Sequence, residues 1–314
     1  MDFPTRRFYE YSKIHTVDIM SSLKTFLEDK GLMFPNYKNS SMEVFNEFAS
    51  GSGKLIGNNE RKLLLLLDGL GFDLFNECLE KNKELSNAFK SAEISKISTI
   101  FPSFTPVVLT SLESGLSVAE HGIVGSELPV REYAKFINIF DVGWGNAEKD
   151  LKIKEAELLF PEMHNLEKLV NTQRFSYLQD EVVFRKNQDT MLYKKLGKKL
   201  RTYVSQRDFF IQLRKLLRNT HDNNIYGYLD KVDHASHVYS KNSEEVKELT
   251  TYLLKDIVEY LLPIVKENNW ELIITSDHGQ RTFSKEHLTT VRGTDAMLSY
   301  LNMIPWGCSL ENVR

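Results

Sequence analysis

Leu63 to Leu67 are five consecutive leucines bounded by Lys62 and Asp68. A short apolar run without alternation predicts a strand buried on both faces, as in a parallel sheet covered by helices. Gly69 and Gly71 permit a tight turn after it, and the mixed polar and apolar residues Asp73 to Phe89 predict a helix. The same order recurs at Ser95 to Ile100, a β-leaning run followed by the loop FPSF and the helix-like TPVVLTSLESG. There Thr105 is expected as N-cap, Pro106 at the first helical position, where its missing N–H needs no partner, and Gly115 at the C-terminus. Asn224 to Leu229 and Glu271 to Thr275 predict two further strands. Between them, Ser243 to Leu262 places Val246, Leu249, Leu253, Ile257 and Tyr260 on one helical face, with Asn242 and Glu245 as a capping box and Pro263 as the stop. Strands alternating with helices predict a doubly wound α/β architecture, a mostly parallel central sheet with helices on both faces.

The rest of the chain divides around that core. Residues 1–60 form an expected N-terminal leader layer, with a helix pattern at Ile19, Leu23, Phe26 and Leu27 and a turn-rich end from Gly51 to Glu60. Gly51-Ser52-Gly53-Lys54 lacks the spacer of a phosphate-binding loop and is expected to be an ordinary loop. Residues 61–130 and 223–314 form the expected catalytic core, and 131–222 an inserted cap segment on the substrate side. Glu181 to Arg218 carries a local excess of eight positive charges. Such a stretch is either a pair of solvated helices or a field that draws anionic substrates to a nearby site.

Composition narrows the class. The chain has 314 residues, 41% hydrophobic and 26% charged, which is a globular composition, and its net charge of −3 does not suit a protein that coats nucleic acid. Two cysteines, Cys78 and Cys308, with no C-x-x-C spacing, exclude a disulfide scaffold and a cysteine zinc knuckle. The N-terminus shows no secretory apolar segment, and no stretch reaches the roughly 18 apolar residues of a membrane span. A cytoplasmic enzyme is expected.

Four strand-like runs are each followed at once by a group suited to metal or phosphate chemistry: Asp68, Thr105, Asp233 with His237, and Asp277 with His278. In an open parallel sheet such groups gather at the carboxyl ends of the strands, so the four loops can converge. Two histidines and three aspartates suit Zn²⁺, Mn²⁺ or Fe²⁺, and two such ions could clamp the attacking and leaving oxygens of a displacement at phosphorus. Asp233 and His237, four apart, share one side if their loop makes a helical turn. Thr105, at a helix N-terminus and beside a cation, is a candidate nucleophile as well as a cap.

LLLLLDGLGFD, STIFPSFTPVVLTSLESGLSVAEHGIVG, YLDKVDHASHVYS and IITSDHGQ resemble the successive motifs of the type I phosphodiesterase/nucleotide pyrophosphatase family of the alkaline phosphatase superfamily. The resemblance runs from about Leu63 to Gln280, with a weaker echo at FPNYKNSSMEVFNEF. It implies Asp68, Thr105, Asp277 and His278 at one zinc, Asp233 and His237 at a second, and Thr105 as the residue that transiently carries the phosphoryl group. It implies a hydrolase of phosphodiester or pyrophosphate bonds in small anionic phosphoesters such as nucleotides, acting on neither a nucleic-acid polymer nor a membrane. The family's ten-residue interval from nucleophile to glycine is met by Thr105 and Gly115, and not by Ser103 or Thr99.

Two departures stand beside the resemblance. The family usually supplies a third histidine to the Asp233/His237 ion, well downstream of the D-H-G motif, and the later histidine here is His287. Either His287 serves, or that ion is held weakly, or the histidine lies beyond Arg314; the ending MIPWGCSLENVR resembles the middle of a family sequence and favours the last. GIVGSELPVREY also lacks the asparagine that several nucleotide-cleaving members place there, which weakens the expectation of nucleotide pyrophosphatase activity in particular. Phosphomonoester or phosphonate hydrolysis on the same site, or a phosphate- or nucleotide-binding module without turnover, are the alternatives. His121 is expected to be structural and His234 to lie at the surface or support the site. His15, His164 and His221 have no identifiable partner, and Tyr226 and Tyr228 are expected in the core.

Overall fold

The computed structural model describes residues 40–51, 53–121, 123, 125, 127–130, 135–138, 143–144, 173–177 and 200–280. The expected leader helix near Ile19, and also His15, His164, His287 and Cys308, lie outside the described residues. Among those described, the elements in chain order are α1 (Ser41–Ser50), β1 (Lys62–Leu67), α2 (Phe72–Lys81), α3 (Lys83–Ala88), α4 (Thr105–Ser114), α5 (Val118–His121) and β2 (Glu127–Val130). There follow β3 (Lys135–Asn138), β4 (Gly143–Trp144), β5 (Gln173–Tyr177), β6 (Leu200–Tyr203), α6 (Gln206–Asn219), β7 (Asn224–Leu229), α7 (Lys231–Tyr239) and α8 (Glu244–Asp256). A π-helical turn (Ile257–Leu261), α9 (Leu262–Glu267) and β8 (Glu271–Thr275) complete them.

The central sheet has five parallel strands in the order β6-β5-β7-β1-β8. The leucine run is an interior strand, between β7 and β8, and all five leucines are fully buried. Because side chains alternate across a strand, Leu63, Leu65 and Leu67 meet one layer of helices. Phe209 and Leu213 of α6, Leu253 of α8 and Ile264 of α9 belong to that cluster. Leu64 and Leu66 point the other way, into a cluster with Phe45 and Phe48 of α1 and Val107, Val108 and Leu112 of α4. Helices therefore cover both faces, and the unbroken apolar run is the direct cause. Full burial contributes roughly 1.5–3 kcal/mol for each such leucine. The register pairs Leu66 with Tyr228 on one side and with Thr275 on the other. The carboxyl ends of β7, β1 and β8 are thus brought level. The elements β5, β6 and α6 fall within 131–222, yet they extend this sheet and cover it. The strands β2, β3 and β4 form a separate antiparallel sheet.

Four local expectations are corrected. Ser95 to Ile100 is extended chain with a single bridge, Ser98 to Ser40, and not a strand. Its inward positions, partly buried Ile97 and buried Ile100, are three apart, so a two-residue repeat cannot present them on one face. The helix expected over Asp73 to Phe89 breaks at Asn82, whose side chain leaves α2 and caps α3 by accepting from the amides of Glu84 and Leu85. The cap of α8 is Ser243, one residue beyond the expected Asn242, and it accepts from the Val246 amide at 3.2 Å. Pro263 does not stop that helix. The π-helical turn widens the ladder, and proline, having no N–H, sits in the first turn of α9.

The glycine-rich segment after α1 is a loop, as expected. The backbone amides of Lys54, Leu55 and Ile56 converge on one carboxylate, Glu47, at 2.8, 2.7 and 3.1 Å. This small cradle for an anion is filled by the chain's own side chain. Among the described residues, no helix is long and apolar enough to cross a membrane.

Candidate active site

Three consecutive strands of the sheet end in the residues that carry the chemistry. Asp68 follows β1 directly, Asp233 lies in the first turn of α7 just after β7, and Asp277 and His278 follow β8. The ladder continues into the loops: the Asp68 amide donates to Leu229 O at 2.9 Å and the Asp233 amide to Asp68 O at 3.0 Å. Gly69 makes this approach possible. Its φ is +73°, and a Cβ there would stand 2.8 Å from Asp233 Cβ and 2.9 Å from Asp233 Cα. Gly71 and Gly279 meet similarly, since a Cβ on either would come within 3.0 Å of the other's Cα.

Thr105 is the first residue of α4, and its hydroxyl lies 3.1 Å from His278 Nε2. It is not the N-cap expected from the sequence. Phe104 holds that position with φ −83° and ψ 137° and makes no side-chain cap bond. The amide that a Thr105 cap would seek, that of Val108, already donates to Phe104 O at 2.9 Å, so the threonine hydroxyl is left to face the histidine. His278 Nδ1 lies 3.3 Å from the Gly279 carbonyl, which can only accept. With the proton on Nδ1, Nε2 directs its lone pair into the site and can accept from Thr105.

Around that nitrogen stand three carboxylates. His278 Nε2 is 3.5 Å from Asp68 Oδ1, 3.4 Å from Asp277 Oδ2 and 3.9 Å from Asp233 Oδ1. His237 Nε2 is 3.2 Å from Asp233 Oδ2, because the segment after β7 is helical and brings positions four apart onto one side. His237 is 76% exposed and Asp233 14%, so this pair stands at the mouth while Asp68 and Asp277 lie at the floor.

The carboxyls at the floor crowd one another beside His278. Burial first, and then the neighbouring Asp277 carboxylate, push Asp68 up to about 10, and burial likewise raises Asp277. Asp68 Oδ1 and Asp277 Oδ2 are buried and accept no hydrogen bond. Donor atoms of Asp68, Asp233 and His278 all lie within 4.8 Å of one another. Orphaned carboxylate oxygens together with an imidazole lone pair form a donor set that fits a divalent cation of the Zn²⁺, Mn²⁺ or Fe²⁺ type.

Three further residues serve the site. The Tyr228 hydroxyl donates to Asp68 Oδ2, the Gln280 side-chain amide to Asp233 Oδ1, and the Thr99 hydroxyl to the Asp277 carbonyl. Tyr228 was expected in the core, and its ring does pack there beside Leu66. A signal for its second role existed: it is the penultimate residue of β7, on the face opposite Ile225 and Leu229, and so close to whatever follows β1. Gln280 carries no such signal. His121 is structural: its Nδ1 accepts from the Ile123 amide at 3.0 Å, so Nε2 donates to Ser111 Oγ at 2.7 Å. His234 and His221 are exposed.

The sequence matches the type I phosphodiesterase/nucleotide pyrophosphatase family over residues 62–300. The chain belongs to this family. As a member of the type I phosphodiesterase/nucleotide pyrophosphatase family it belongs to a family of enzymes. Among solved structures, murine ectonucleotide pyrophosphatase/phosphodiesterase 5, an inactive form in complex with AMP, is similar at 16% identity with a TM-score of 0.53. That likeness covers 72% of this chain, and the chain spans 59% of the murine protein. Phosphonoacetate hydrolase from Sinorhizobium meliloti in complex with phosphonoformate is similar at 17% identity and a TM-score of 0.48, over 72% of this chain and 58% of the other. No curated protein sequence matches this family member.

Proposed function

We propose that the chain hydrolyses phosphodiester or pyrophosphate bonds in small anionic substrates, with Thr105 as nucleophile and two divalent cations, zinc the best match, as cofactors. The observation that carries this reading is the 3.1 Å approach of Thr105 Oγ1 to the His278 lone pair, at the first residue of a helix and beside three carboxylates. Asp68, Asp277, His278 and Thr105 would hold one ion, and Asp233 with His237 the other. When bound, the ions supply positive charge that favours the ionised threonine and neutralises the developing charge on the phosphoryl group.

The remaining work falls to the chain. The fixed backbone of α4 holds Oγ1 at the mouth of the sheet, and the positive end of that helix favours phosphoryl oxygens near it. Oγ1 forms a bond to phosphorus as its proton passes to water, and the bond to the leaving group breaks, an alcohol departing with a proton taken back from water and a phosphate departing as the anion. Water then cleaves the Oγ1–phosphorus bond, which restores the threonine hydroxyl and releases the phosphorylated product. Pro106 and the buried Val107 and Val108 keep the first turn of α4 rigid, so the nucleophile moves little between the two steps.

The purified chain with Zn²⁺ is expected to hydrolyse bis(p-nitrophenyl) phosphate, and Thr105→Ala to lose on the order of a thousandfold or more of kcat. Acid-quenched protein should carry phosphoryl on Thr105. A Thr105→Ala variant that turns over at the parent rate would reject the nucleophile.

A further inference from the structure

The three carboxylates of the site use their two oxygens differently. Asp277 Oδ1 accepts from the Gly69 amide at 3.1 Å and the His278 amide at 2.9 Å, while its Oδ2 accepts nothing. Asp68 Oδ2 accepts from the Tyr228 hydroxyl, while its Oδ1 accepts nothing. Asp233 Oδ1 accepts from Gln280, while its Oδ2 faces His237. In each carboxylate one oxygen is occupied by a protein donor and the other faces a histidine, His278 for Asp68 and Asp277 and His237 for Asp233; the held Oδ1 of Asp233 stands 3.9 Å from His278 Nε2. For Asp277 the closer donors are backbone amides, with the Ser276 hydroxyl a third at 3.4 Å. For Asp68 and Asp233 they are side chains, and a substitution can remove them.

We infer that Tyr228 and Gln280 are positioning residues of the cation site, each holding one oxygen of a ligating carboxylate so that only the other faces an ion. The inference rests on the proposed function, since it concerns the same site. A free carboxylate can rotate about its last bond and can bind an ion through one oxygen or both. A donor on one oxygen restrains both freedoms, and groups that hydrogen-bond metal ligands in this way are worth about 10- to 100-fold in metal affinity. The holders are themselves held. Tyr228 sits in β7 opposite Leu66, and its carbonyl accepts from the Tyr203 hydroxyl at 2.8 Å. Gln280 directly follows the Asp277-His278-Gly279 turn, so its bond to Asp233 ties the loop after β8 to α7. The two residues therefore act on different ions: Tyr228 on the one held by Asp68, Gln280 on the one held by Asp233.

The test uses the full chain stripped of metal and titrated with Zn²⁺ against a chromophoric chelator, for the parent, Tyr228→Phe and Gln280→Met. Metal-free melting curves serve as the folding control. The expected result is two bound ions in the parent and a loss of about 10- to 100-fold in affinity at one ion in each variant, a different ion in each case. Co²⁺ loaded in place of Zn²⁺ should show an altered visible absorption band in each variant. Parent affinities at both ions in both variants would overturn the inference while leaving the proposed function intact. An equal loss at both ions would also overturn it, because a merely structural role predicts that outcome. A parent chain that binds no zinc would remove the proposed function itself. Should Tyr228→Phe not fold, Gln280→Met, in a partly exposed loop, decides the matter alone.

Discussion

Alanine at Gly69, with alanine at Gly51 as its control, separates backbone strain from the contact that builds the site. Both glycines have positive φ, +73° and +88°. An L-residue in the left-handed region costs about 1–2 kcal/mol. At Gly51 a Cβ meets nothing within 4 Å, so that cost is the whole effect. At Gly69 it would stand 2.8 Å from Asp233 Cβ and 2.9 Å from Asp233 Cα, and the second of these is backbone. Asp233 cannot retreat without breaking its 3.0 Å amide bond to Asp68 O. Overpacking of this kind adds about 1–3 kcal/mol, which brings Gly69→Ala to roughly 2–5 kcal/mol. Urea unfolding of the metal-free protein measures the difference; with a slope near 3 kcal/mol/M, the two variants should part by about 0.3–1 M in midpoint. The same push on Asp233 should weaken Zn²⁺ binding in Gly69→Ala and leave it unchanged in Gly51→Ala. Coincident midpoints and equal zinc affinities would show that the two loops do not touch at Gly69.

Further outcomes follow from the floor and the core. In the metal-free protein Asp68 is held near 10, against 3.8 for an ordinary aspartate, so between those values the folded form binds the extra proton. Stability is then fully present below about pH 4 and falls as pH rises toward 10. The Tm of chelator-treated protein should drop between pH 5 and 9, and saturating Zn²⁺, which takes the place of the protons, should flatten that slope; a metal-free Tm that climbs with pH would contradict the assignment. Zinc binding at pH 7 in weak buffer should release protons, measurable with an indicator dye. Leu65→Ala, fully buried on an interior strand, should lower unfolding free energy by about 2–5 kcal/mol by urea titration, and a change under 1 kcal/mol would contradict the burial of β1 between β7 and β8.

What the sequence disclosed and what it hid divide along a physical line. The leucine run appears as expected because burial on both faces leaves a local signature of unbroken apolar residues, and Asn224–Leu229 and Glu271–Thr275 because short apolar-rich runs bounded by polar residues mark strands even at partial burial. Gly115 ends its helix with φ +75°, again a local requirement. The convergence of Asp68, Asp233 and His278 followed from one topological rule about strand ends, whereas Thr105 reaches them from a segment that is extended but not a strand. The misses are competitions that a pattern cannot weigh. Asn82 can sit inside a helix or cap the next one, and only tertiary packing chooses. Thr105 differs from an N-cap by one residue, and the bond from the Val108 amide to Phe104 decides between them. The partnership of Tyr228 with Asp68 spans 160 positions and depends on strand register, and that of Gln280 with Asp233 spans 47 and depends on how a turn folds back.

The parallel sheet also has an inactive rim. All the groups that face the mouth sit past the carboxyl ends of β1, β7 and β8, whereas the strands begin a full length away, about 20 Å for six residues. His221 and Asn223, just ahead of β7, are exposed on that far side. A tether, dye or surface linkage placed there would anchor the molecule with its entrance turned toward solution, and diffusion of small anions to the threonine would proceed as in the free protein.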